Sequence, residues 1–200
     1  MRGNGFLHRA RRQLARGFPT GDFDQPARLL EEIALTDVLT GLPNRRHAMA
    51  GFNRAWAESS RGAVPLACMM IDADGFKQSN DRHGDAVLRR VSRQLRYAVR
   101  TDDVVCRLGG DEFLIICPAT SMDGALQIAE ATRQEIAGMG VAVGDGGEWS
   151  GRISVGVAVR TAAMQVLEDL IKATDEGVYL AKHKARSRIE QRNLLPALAG

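Results

Sequence analysis

Aromatic residues are scarce in this 200-residue chain, with two tryptophans, two tyrosines and six phenylalanines making up 5% of it, and cysteine occurs three times. So little cysteine excludes a disulfide-built scaffold. Cys68, Cys106 and Cys117 each stand in a short apolar run, which suits small buried hydrophobes better than a metal knuckle. No uncharged apolar stretch reaches the roughly 18 to 20 residues of a membrane span. The Arg-rich start also lacks the apolar centre of a signal peptide, so the chain is expected to be cytoplasmic, with no membrane span. Internal repeats are absent, and low complexity is confined to the first residues.

What is present describes a globular protein: 44% hydrophobic and 26% charged residues, enough for a real core. The length fits one domain with an extension. The net charge of +3 is unevenly placed, because Arg2, Arg9, Arg11, Arg12 and Arg16 face no acid within the first sixteen residues, which leaves the remainder at about −2. The basic excess therefore belongs to a solvated tail and carries no expectation of nucleic-acid binding by the folded part.

Gly17, Pro19, Gly21 and Pro26 punctuate the start, where a short helix over 7–16 is the most that fits. A helical pattern begins near Ala27, with Leu29, Leu30, Ile33 and Ala34 at helical spacing. The periodicity then predicts helices over 45–58, 85–99, 125–137 and 166–184, and strands over 66–71, 104–108, 112–117 and 153–159, with a loop over 144–151. Strands separated by helices, with a hairpin at Gly109-Gly110-Asp111, indicate an α+β or α/β layer of helices on a mixed sheet.

Acids gather where these elements end. Asp72 and Asp74 follow one apolar strand, and Asp111 and Glu112 occupy the hairpin tip, so neighbouring strands would bring four carboxylates together. Gathered carboxylates repel and raise each other's pKa, and such a cluster needs a cation. Hard oxygen ligands suit Mg2+ or Mn2+, which share their coordination sphere with substrate phosphates. Gly109 and Gly110 allow close approach of a phosphate, and Lys77 and Lys182 are the natural counter-charges. The pattern points to metal-dependent phosphoryl or nucleotidyl transfer.

The string Gly109-Gly110-Asp111-Glu112-Phe113 resembles the signature of the GGDEF family of diguanylate cyclases. Four more blocks resemble the family in order: DVLTGLPNRR (37–46), IDADGFKQSND (71–81), ISVGVA (153–158) and DEGVYLAKHKARSR (175–188). The resemblance spans about residues 30 to 190. It implies an Arg-rich extension or linker over 1–28, a catalytic domain over 29–190 and a tail over 191–200. It also implies an α+β fold in which a central, mainly antiparallel sheet is wrapped by helices, similar to the palm of polymerases and nucleotidyl cyclases. The implied reaction joins two GTP into cyclic di-GMP with release of pyrophosphate, in a homodimer, stable or transient, whose subunits each bind one GTP.

By position, the resemblance gives Asp72, the carbonyl of Ala73, Asp111 and Glu112 as metal ligands, with Asp111 the proton acceptor. Lys77, Lys182 and Arg186 would hold phosphates, with Gly109 and Gly110 beside them. Asn80 and Asp85 would read guanine, whose N1 and N2 donors suit a carboxylate. Arg100 and Asp103, in an RxxD string five residues before Gly109, match the family's inhibitory product site, which implies feedback inhibition by cyclic di-GMP. One departure stands out: two residues separate Asn80-Asp81 from Gly84-Asp85 where the family has about six. The shortening bears on guanine recognition, so the alternative expectation is a catalytically impaired domain acting as a cyclic di-GMP receptor.

Overall fold

Eight consecutive residues, Leu66–Ala73, bury both faces of one strand, β1, which therefore needs a layer of helices on each side. The computed structural model describes residues 34–62, 64–74, 81–143, 147–185 and 189–191. Its long helices are α1 (Arg45–Gly62), α2 (Asp81–Ala98), α3 (Met122–Ala137) and α4 (Leu167–Ala185). Strands β2 (Val104–Gly109), β3 (Glu112–Pro118), β6 (Ile153–Val159) and β7 (Ile189–Gln191) join β1 in a five-stranded sheet of order β2-β3-β1-β6-β7. Every pairing is antiparallel except that of β6 with β7, so the expected mainly antiparallel sheet wrapped by helices is what forms.

The period of two along β1 sorts the core into two halves. Ala67, Met69, Ile71 and Ala73 pack with Val87, Leu88, Val91 and Leu95 of α2 and with Ala125, Ala129 and Ile136 of α3. Leu66, Cys68 and Met70 pack with Ala48 and Phe52 of α1 and with Leu170, Ala173 and Val178 of α4. Asp72 continues this second series, which turns its carboxylate toward α4. The three cysteines are free and buried, as their apolar surroundings led us to expect.

Two glycines set how closely α4 lies on the sheet. A Cβ on Gly156 would come within 2.0 Å of the Thr174 carbonyl oxygen, and one on Gly177 within 2.8 Å of the Gly156 Cα. Helix and strand backbones touch here, with no side chain between them.

The structure departs from the periodicity in several places, among them the end of α1, four residues late, and the start of α3, three residues early. Helix α2 starts at Asp81, four residues early, and β1 runs one residue past Asp72. The stretch 144–151, expected as a loop, contains strand β5 (Gly147–Trp149), paired antiparallel with β4 (Val141–Val143). The reason is Trp149, which is buried and whose Nε1 donates to the Asp74 carbonyl at 2.9 Å, an anchor that overrides the turn-forming composition around it. Strand β7 is three residues long, too short to leave a periodic signal. The Arg-rich start and the tail lie outside the described residues.

Ahead of α1 the chain folds back on itself. Thr36 bridges Pro43, Asn44 bridges Arg107 in parallel, and the Arg107 amide donates to the Pro43 carbonyl at 3.1 Å. This segment therefore lies along the outer side of β2.

Candidate active site

The sheet register brings the acids together. Asp72 lies directly across from Glu112 on one side and from Ser154 on the other, and the Ala73 amide donates to the Asp111 carbonyl at 3.2 Å. The end of β1 and the β2–β3 hairpin tip thus form one ledge facing α4. The tip is shaped by its glycines: Gly109 has φ 154° and Gly110 φ 53°, values that L side chains rarely adopt, and the ladder slips between Arg107 and Gly109.

Lys182, from the last turns of α4, places its Nζ 2.6 Å from Asp72 Oδ2. The Asp72 side chain is only 6% exposed, so its charge would be costly without this partner. Burial pushes the Asp72 carboxyl up to about 6; the hydrogen bond from Lys182 opposes this, while the charges of Asp111 and Asp74 add to it. Burial alone would lower the Lys182 pKa, but the bond to Asp72 and the charges of Asp72, Asp111 and Asp74 outweigh it and hold the ammonium above its usual value. A cation is thus already drawn to the place where the sequence pattern calls for one.

Asp74 is buried just beyond β1. Ser154 Oγ donates to its carboxylate at 3.0 Å, and Trp149 holds its carbonyl. These contacts fix the exit of β1 toward residues 75–80. Lys77 and Asn80 fall in that stretch and Arg186 in 186–188, both outside the described residues. Asp85 sits on the first turns of α2, half exposed and 3.5 Å from Arg89. Arg100 and Asp103 close a turn after α2: the Arg100 amide donates to Asp103 Oδ2 at 2.9 Å, and the Asp103 amide to the Arg100 carbonyl at 3.2 Å.

Residue-by-residue reading missed the part played by Arg107. Its Nη1 donates to both oxygens of Asp37 at 3.1 Å, and its Nε and Nη2 donate to the Gly110 carbonyl at 3.0 and 2.7 Å. The guanidinium therefore ties the segment before α1 to the hairpin tip. The available signal was one charged residue inside an otherwise apolar strand. Burial alone would raise the Asp37 pKa, but hydrogen bonds from Thr40 and Arg107 outweigh it and hold the carboxyl below the ordinary aspartate value.

A depressed carboxyl contributes stability above its unfolded-state pKa and loses it as pH falls through the folded one. Arg107→Ala should cost about 2 kcal/mol at pH 7, the range for hydrogen bonds to charged groups. The gap between variant and parent should narrow as pH falls below about 4, as Asp37 takes up its proton, while the bonds to the Gly110 carbonyl keep it from closing fully. Urea unfolding at pH 7 and pH 3 checks both parts.

The donor set fits a divalent cation. Among the described residues no three His, Cys, Asp or Glu side chains converge as a closed cage. An open set of one or two carboxylates is what Mg2+ takes when substrate phosphates complete its shell.

Comparisons with known proteins place the chain in a family. The family model described as diguanylate cyclase, GGDEF domain, matches residues 34–188. The response regulator PleD of Caulobacter vibrioides is 39% identical over 163 residues, covering 79% of this chain and 36% of PleD. The diguanylate cyclase DosC of Escherichia coli is 37% identical over 158 residues, 77% of this chain and 34% of DosC. The chain thus spans about a third of the length of these curated relatives. Among solved structures, the GGDEF domain of TpbB from Pseudomonas aeruginosa matches with a TM-score of 0.73 at 32% identity, over 80% of this chain and 95% of that one. The GGDEF domain of DgcB from Caulobacter crescentus, solved in complex with c-di-GMP, gives 0.74 at 26% identity, over 79% and 93%.

Proposed function

This chain belongs to the GGDEF domain family, and from that premise we propose that it is a diguanylate cyclase, condensing two GTP into cyclic di-GMP. The observation that carries the reading is the ledge itself: buried Asp72 in register with Glu112, Asp111 close by, and a lysine from α4 on the Asp72 carboxylate. Asp72, the Ala73 carbonyl, Asp111 and Glu112 would hold Mg2+ or Mn2+. When bound, such a cation supplies charge that activates an attacking oxygen and neutralises a leaving one.

The chain's own groups have the remaining work. Lys77, Lys182 and Arg186 bind the phosphates, and the bare glycines at 109 and 110 let the triphosphate approach the turn. Asn80 and Asp85 meet the guanine edge, across a segment four residues shorter than the family's. Asp111 takes the proton of the attacking 3′ hydroxyl, which bonds to the α-phosphorus of the second GTP as the bond to pyrophosphate breaks. Repetition closes the ring, so two GTP-loaded copies of the chain must meet. Arg100 and Asp103 form a product site through which cyclic di-GMP inhibits its own synthesis.

The test is incubation of the purified chain with GTP and Mg2+ and detection of cyclic di-GMP by chromatography. Product supports the reading. No product from folded protein with either cation overturns it, and product from ATP instead would relocate the error to base choice. A pH arm adds a readout independent of turnover. Burial pushes the Asp72 carboxyl up to about 6, so ionising it costs folding stability as pH rises from about 4 to 6, and a cation must compete with the proton for it within that window. Mn2+ should therefore raise the melting temperature more at pH 7.5 than at pH 5, as measured by thermal denaturation.

A further inference from the structure

In a chain so poor in aromatics, both tyrosines stand in water, and Tyr97, 76% exposed near the end of α2, is the more exposed of the two. Its surroundings are as unusual as its exposure. Arg90 and Arg93 share its helical face at spacings of three and four, Arg96 borders it, and Arg100 follows two residues past the end of the helix. All four arginines are exposed, and among the described residues none of them has a salt bridge; the only arginine of α2 that does is Arg89, with Asp85. Like charges at these spacings repel. A helical side chain leans toward its own N-terminus, which lays the Tyr97 ring over the turn that carries Arg93.

An exposed ring flanked by guanidinium groups suits a ligand with aromatic faces and negative charge. Bases stack on tyrosine, and arginine grips phosphate in bidentate fashion. The helical stripe from Arg90 to Tyr97 is about 10 Å long at 1.5 Å per residue, the scale of a dinucleotide rather than of a phosphate track. It leads to the Arg100–Asp103 turn, where Asp102 and Asp103 would repel a continuing backbone.

We infer that Tyr97 and its flanking arginines are the outer wall of the product site: Tyr97 stacks on one guanine of cyclic di-GMP, while Arg93 and Arg96 hold a phosphate. This rests on the reading of Arg100 and Asp103 as the site's inner wall. It adds residues that the RxxD string does not contain and makes affinity depend on an aromatic face.

The experiment is calorimetric titration of cyclic di-GMP into the full chain and into Tyr97→Ala, Tyr97→Phe, Arg93→Ala/Arg96→Ala and Arg100→Ala, with melting temperatures confirming folding. Tyr97→Ala should weaken binding about tenfold, within the roughly 5- to 150-fold that one stacked base is worth, and Tyr97→Phe should keep parental affinity. The double arginine variant should bind more weakly and with a shallower salt dependence. If Arg100→Ala loses binding while Tyr97→Ala keeps it, the inference is overturned and the product-site reading stands. If the parent does not bind, or neither variant matters, both fall. Equal competition by a short single-stranded DNA would overturn the dinucleotide in favour of nucleic acid. Binding is read without turnover, so loss of the cyclase reading alone leaves this result intact.

Discussion

A chain carrying Asp111→Ala and Glu112→Ala together is expected to make cyclic di-GMP at least about a thousandfold more slowly than the parent, while melting at the same temperature or higher. The rate term follows from charge. Cation assistance is worth several kcal/mol of transition-state stabilisation, and each 1.36 kcal/mol is a factor of ten. The stability term follows from the geometry. Asp111 adds repulsion to the buried Asp72 carboxyl, so its removal relieves strain, and the Ala73 amide still finds the carbonyl of residue 111. Chromatography of product and a thermal melt of the same sample check both. A variant that is inactive because it is unfolded would show the opposite melt.

The second large effect concerns the fold. Gly156→Ala places a methyl 2.0 Å from the Thr174 carbonyl oxygen and 2.6 Å from the Val178 amide nitrogen, both helix backbone. Backbone cannot swing aside as a side chain can, so α4 must lift from the sheet. Overpacking of this kind costs about 1–3 kcal/mol or more, and for a domain of this size each kcal/mol is about 2–4 °C. A drop of about 6 °C or more is expected by circular dichroism. Gly177→Ala presses on the same contact from the other side, so the double variant should lose less than the sum. Lifting α4 also withdraws Lys182 from Asp72, and the damage should reach the GTP reaction at temperatures where the protein is still folded.

Much of this was legible in the sequence because the signals are local. The unbroken apolar run of 66–71 announced a central strand, the three-and-four repeat from Val87 to Val99 announced α2, and the Gly-Gly turn announced the hairpin whose strand pairs with β1 at Asp72. What stayed hidden depends on distant partners. Lys182 and Asp72 are 110 residues apart, and Arg107 and Asp37 are 70 apart. No periodicity encodes such pairs. Strand β5 stayed hidden because one buried indole decides its placement, and Ser154 because a single hydroxyl in an apolar strand reads as neutral until its partner Asp74 is known.

The fold-back ahead of α1 has a consequence for the protein in solution. A strand at the margin of a sheet offers a row of free amides and carbonyls on which another chain can grow. Along β2 that row is interrupted at Arg107, whose amide is taken by Pro43 and which is bridged by Asn44, with a proline and a charged side chain at the point of contact. The opposite margin ends in the three-residue β7, too short to template much. Neither margin among the described residues therefore offers a long free row to another chain, and the residue that closes off β2 is the one that steadies the hairpin tip.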